Sequence, residues 1–131
     1  MRRPVAARGA IDNAMHKIIP EEGNLVRVEA SGKLTQEDYD QLIPSWKKTI
    51  AQFGSMRLLL ILQDFEGWEP GAAWDDFRFG TSHSDKVERI AVVGEKKWQK
   101  WLMKLGAFFL REDLKYFESS DLAEAERWIR A

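Results

Sequence analysis

The side chains with most capacity for chemistry are aromatic and basic. In the stretch EKKWQKWLMKL, residues 95–105, successive helical residues are ~100° apart. Trp98, Trp101, Leu102 and Leu105 then share one arc. Lys96, Lys97, Lys100 and Lys104 share the opposite arc. Such a helix can put its rings into an apolar ligand and its ammonium groups against anionic headgroups. A plainer account also fits: the rings pack on a sheet and the lysines are solvated, as on many surface helices. Bulk argues for more than packing. Trp68, Trp74, Phe77, Phe79, Trp98, Trp101, Phe108 and Phe109 all fall in the turn and two helices expected after neighbouring strands. A small core has limited room for that many rings, so a groove or exposed patch is expected.

The second set is acidic: Asp64, Glu66, Glu69, Asp75 and Asp76. A Mg²⁺ site needs converging carboxylates, whereas neighbours on a helix diverge by about 100°. Asp75 and Asp76 read as first-turn acids suited to a helix dipole, and Asp64 as a turn residue. The third set is histidine. His83 lies in the loop Thr81-Ser82-His83-Ser84-Asp85, whose residue types are those of a triad. A working triad takes its members from separate elements, so these read as polar loop residues. His16 reads as structural or exposed. No Gly-rich phosphate loop followed by Lys-Ser or Lys-Thr occurs. Neither catalytic residues nor a cofactor or metal is expected.

The totals bound the rest. With 131 residues the chain is one domain's worth. A net charge of −1 gives no field to attract nucleic acid. No run approaches the ~18 apolar residues of a membrane span. There is no cysteine, which removes disulfides and thiolate chemistry and suits a cytoplasmic protein.

The elements that must hold these residues follow from periodicity. Residues 1–14 read as a loose arm and 15–131 as one domain. His16 to Ile19 and Leu25 to Ala30 form a hairpin about the turn Pro20–Asn24, with Gly32 closing the second strand. Thr35 and Asp38 form a capping box. Tyr39, Leu42, Ile43, Trp46, Ile50 and Phe53 make one helical stripe ended by Gly54. Pro44 predicts a kink or restart inside that helix. Met56 to Leu62 contains five consecutive aliphatics and reads as a strand buried on both faces. An acidic, aromatic turn follows it. Further on come a helix over Ala72–Phe79, a strand over Val87–Val93, a helix over Glu95–Leu105 and a strand over Leu114–Phe117. Ser119 and Ser120 offer N-cap oxygens to a closing helix with Leu122, Ala125, Trp128 and Ile129 inward. The order β-β-α-β-α-β-α-β-α implies an α/β fold: a mixed, mostly parallel five-stranded sheet with covering helices.

Three segments, ASGKLTQEDYDQLIP, LLLILQDFEGWEPGAAWDD and ERIAVVGEKKWQKWL, resemble the SpoIIAA-like family of small bacterial proteins. The resemblance implies a STAS-like fold from about His16 to Ala131. Anti-sigma-factor antagonists of that fold carry a phosphorylatable serine at the start of the helix after the central strand. Here that stretch is Gly67-Trp68-Glu69-Pro70-Gly71-Ala72, and no Ser, Thr or Tyr occurs from Met56 to Gly80. The phosphoswitch therefore does not carry over. The family has also been likened to CRAL-TRIO lipid carriers, which implies an apolar ligand held under movable helices.

The expectation is a non-enzymatic domain that binds an apolar small molecule or lipid and associates with membrane surfaces. Trp68, Trp74, Phe77, Trp98, Trp101 and Phe108 would line its cleft. Lys97, Lys100 and Lys104 would meet a headgroup or surface. The alternative is a protein-interaction module or homodimer built on the same aromatic patch.

Overall fold

A computed structural model describes residues 11–12, 16–69, 84–95 and 113–131. Six strands form one sheet in the order of the chain: β1 (Ile11–Asp12), β2 (His16–Pro20), β3 (Leu25–Leu34), β4 (Met56–Trp68), β5 (Val87–Gly94) and β6 (Leu114–Glu118). β1–β2 and β2–β3 are antiparallel, and β3 through β6 are parallel. The five expected strands are all present. The sixth, β1, pairs Ile11 with Ile18 and Asp12 with Lys17. The expected arm over residues 1–14 is therefore tied to the sheet at these two residues, because β2 offers an edge of backbone groups that a neighbouring segment can pair.

β4 is central, and its aliphatic run behaves as a strand covered on both sides. Leu58 and Leu62 join a cluster with Val26, Val28, Leu42 and Trp46. Leu59 and Ile61 join a second cluster with Ala91, Val93, Phe117, Ala125 and Ile129 on the other face. Alternation of side chains along a strand dictates the split. Each such burial contributes about 1.5–3 kcal/mol, so β4 anchors both layers.

Helix α1 (Gln36–Phe53) covers the first face. Its capping box forms as the sequence predicts: Asp38 N–H donates to Thr35 Oγ1, and Thr35 N–H donates to Asp38 Oδ2. Gly54 ends it in the left-handed region, with φ 83°, and donates to Ile50 O. The helix runs through Pro44 without restarting. Pro44 removes the N–H that would bond Asp40, but both residues are exposed, so water can reach the freed carbonyl. Phe53, the last position of the apolar stripe, departs from expectation: it is 48% exposed. Helix α2 (Leu122–Arg130) covers the second face with Ala125 and Ile129 fully buried. Ser119 and Ser120 do not cap it. They form a 3₁₀ turn with Asp121, whose side chain makes no cap bond either. The expected helix over Ala72–Phe79, and the one running on from Glu95 to Leu105, lie outside the described residues.

Two strands run further than the sequence suggests. Gly32 does not close β3, and the turn expected after Leu62 is strand through Trp68. Two irregularities carry them on. Leu62 pairs with Ala30 and Phe65 with Gly32, so β4 holds one extra residue there. Asp64 absorbs it at φ 50°, a conformation Asp tolerates better than most residues. Phe65 pairs with Gly32 and Gly67 with Lys33, a second extra residue, which Gly67 accommodates at φ 120°. The first bulge puts Leu62 and Phe65, three apart, on the same buried face. That spacing breaks the strand period in the sequence and hides the continuation.

Candidate functional site

The parallel strands β3, β4 and β5 finish at one end of the sheet, and α1 starts there. Ligands of open α/β sheets gather at such an end. Leu62 to Trp68 run past the last β4–β5 pair, Ile61 with Val93, and their described pairing is to β3 alone.

Three polar arrangements shape this end. The first ties β2 to α1. His16 opens β2 opposite Ala30, and its side chain is fully buried. Its Nδ1 lies 2.8 Å from Asp38 Oδ1. Asp38 Oδ2 accepts from both Thr35 N–H, at 2.7 Å, and Thr35 Oγ1, at 2.9 Å. Both carboxylate oxygens are thus committed. The other ring nitrogen, Nε2, is buried without a hydrogen-bond partner among the described residues. A reactant cannot reach it. The pair fixes the first turn of α1 on the sheet, where a carboxylate also suits the helix dipole.

The second arrangement is the return of the chain after β4. Glu69 N–H donates to Leu34 O at 2.9 Å, and Glu69 Oε1 accepts from Gln36 N–H at 3.0 Å. This occupies one further free donor of the first helical turn. The third is at the end of β5. A Cβ on Gly94 would sit 3.3 Å from Leu62 Cβ and 3.4 Å from Tyr116 Oη, so the bare backbone permits the close fit. The Tyr116 hydroxyl donates to Glu95 O. Burial, with the nearby Glu118 and Glu95 carboxylates adding to it, pushes the Tyr116 pKa up to about 12.

Of the residues expected to carry function, Trp68 closes β4 at this end, its backbone opposite Leu34. Trp74, Phe77, Trp98, Trp101, Phe108, Lys97, Lys100 and Lys104 lie outside the described residues, as do Asp75, Asp76 and His83. Asp64 and Glu66 are exposed on β4, and Asp64 is a bulge residue rather than a turn residue. Among the described residues no group of three or more His, Cys, Asp or Glu could hold a metal, and no helix is long and apolar enough to cross a membrane.

The His16–Asp38 pair is the link that sequence reasoning missed. One signal was present. His16 is two residues from buried Ile18, so strand alternation puts it on the inward face.

Comparison with known proteins agrees with this architecture. The profile of the SpoIIAA-like family matches residues 25–130. No curated protein matches the chain. The crystal structure of an uncharacterized protein of the DUF3478 family from Shewanella loihica PV-4, with a SpoIIAA-like fold, superposes with a TM-score of 0.68. The two share 27% identity, and the match covers 91% of this chain and 98% of that one. The match across the parallel strands and both described helices shows that the chain belongs to the SpoIIAA-like family.

Proposed function

We propose that this SpoIIAA-like domain binds rather than catalyses, and that its ligand is an apolar small molecule or a lipid taken at the finishing end of β3, β4 and β5. The observation that carries this reading is the reach of β4. It delivers Trp68 beyond the last pair with β5, and the chain leaves that end toward Trp74 and Phe77. β5 leaves the same end toward Trp98, Trp101 and Phe108. The buried and half-buried carboxylates described there have structural work. Asp38 holds His16 and Thr35, and Glu69 holds α1. Lys97, Lys100 and Lys104 would meet an acidic headgroup at a cytoplasmic membrane surface.

The test is tryptophan emission of the full chain on addition of anionic phosphatidylglycerol vesicles. A blue shift that salt weakens is expected. Native mass spectrometry of the purified protein should show a co-purified apolar molecule. No shift with vesicles or fatty acid, together with a stable dimer in sedimentation, would overturn the reading in favour of a protein interface on the same rings.

A further inference from the structure

We propose a second site, at the opposite end of the sheet, that takes a straight-chain carboxylate in the groove between α1 and the β2–β3 turn. It does not depend on the reading above. The groove encloses a volume of about 640 Å³, within the range of small-molecule sites. Ile18 and Val26, buried and apolar on the face that α1 covers, form its floor. One wall is the flank of α1 from Gln41 to Phe53, about 18 Å long at the 1.5 Å helical rise. The shape is that of an extended body rather than a compact one.

Two features of that wall choose the ligand. Phe53 lines the groove and is the exposed large hydrophobic side chain among the described residues. Every other described member of its helical stripe is buried or partly buried. An aliphatic body lying along the groove would cover the ring, the largest apolar surface this face leaves in water. Charge sets the other end. Glu21 lines the groove, but its Oε1 is held by Arg130 Nη2 at 2.8 Å. The Thr49 hydroxyl donates to Ser45 O, so it too is engaged. Lys48 lines the groove, is exposed, and forms no ion pair with the described residues. A cation with no ion-pair partner among the described residues, beside an apolar floor, matches an anion with an apolar tail. The mouth is open at Gly23, where a Cβ would meet no atom within 4 Å.

The experiment titrates the full, ¹⁵N-labelled chain with sodium dodecanoate below its micellar concentration and follows the backbone amides. Saturable shifts are expected at Gly23, Ser45, Lys48, Thr49 and Gln52. Lys48→Glu should weaken binding about tenfold, the loss of one charge-assisted contact. Phe53→Ser should weaken it by several-fold through lost apolar cover. Both residues are exposed, and unchanged far-UV circular dichroism would verify the folded state. Dodecyltrimethylammonium should bind less tightly to the parent and regain affinity in Lys48→Glu. Shifts confined to residues from Trp68 onward would overturn this site and leave the strand-end reading standing. Shifts confined to the α1 groove would do the reverse. Equal binding of the two probes, or no change in Lys48→Glu, would overturn the carboxylate assignment.

Discussion

The two described helices cover opposite faces of one sheet and are fastened at opposite ends. α1 is held at its N-terminus by acids: Asp38 from its own first turn and Glu69 from the chain after β4. α2 has no side-chain cap at its N-terminus and is held at its C-terminus by cations. Arg57 Nη1 of β4 donates to Ile129 O at 2.9 Å and Ala131 O at 2.8 Å. Arg89 of β5 donates to Trp128 O, and its guanidinium lies 5.0 Å from the centre of the Trp128 ring. Both solutions oppose the macrodipole with the favourable charge. They differ in where that charge comes from and how deep it lies. The α1 fastening is local in sequence except for His16 and Glu69, and its central pair is buried. The α2 fastening comes from strands far away in the chain, and of its two arginines Arg57 is a quarter exposed. A nine-residue helix is marginal alone, so α2 depends on docking more than the 18-residue α1 does.

The largest effects should appear where both helices meet the core. Leu42→Ala under α1 and Ile129→Ala under α2 should each cost about 2–5 kcal/mol, read from urea unfolding. The comparison is sharpened if Ile129→Ala also removes helical circular dichroism before the main transition while Leu42→Ala does not. It breaks if the two variants unfold in the same single step. Next comes the fastening itself. Asp38→Ala strips the Thr35 box and leaves His16 Nδ1 buried without its partner, a cost of about 2–4 kcal/mol. Arg57→Ala removes two bonds from a partly exposed side chain, one of them to the carbonyl of exposed Ala131, which water can replace, and should cost about 1 kcal/mol. Near-equal costs would mean that depth does not separate the two ends.

That difference also explains what could be read in advance. The α1 fastening is mostly written within four residues, Thr35 to Asp38, and the capping box was legible. So was the run from Leu58 to Leu62, since five aliphatics in a row suit a strand covered twice. The α2 fastening was not legible, because Arg57 and Arg89 reach it only through the fold. Strand ends were obscured by the bulges at Asp64 and Gly67, which shift the apolar residues out of the two-residue period. The link from His16 to Asp38 spans 22 positions, and alternation along β2 could place the histidine inward without naming its partner. At the strand-end site, sequence supplied residue types, and the described structure adds the position of Trp68 and the reach of β4.

The smallest effect concerns acid. Glu88 sits beside the α2 fastening, bonded to Ser55 and Asn24 and to Arg57 Nε at 3.2 Å. The Ser55 hydroxyl, with Asn24 and Arg57 and against the opposing effect of burial, holds the Glu88 carboxyl below its usual value of 4.5. The folded state therefore binds this proton less readily than the unfolded one. Glu88's contribution is present above about pH 4.5, and it is lost as pH falls through the lower folded value. Because the carboxylate is 42% exposed, solvent screens it, and the loss should be smaller than that of Arg57→Ala. Glu88→Gln should remove this increment, so that unfolding midpoints of parent and variant converge as pH drops below 4.5. If Glu88→Gln lowers the midpoint by the same amount at pH 3 as at pH 7, the carboxylate's charge plays no part in orienting Arg57. The α2 end would then be held by the arginine's own reach to the carbonyls.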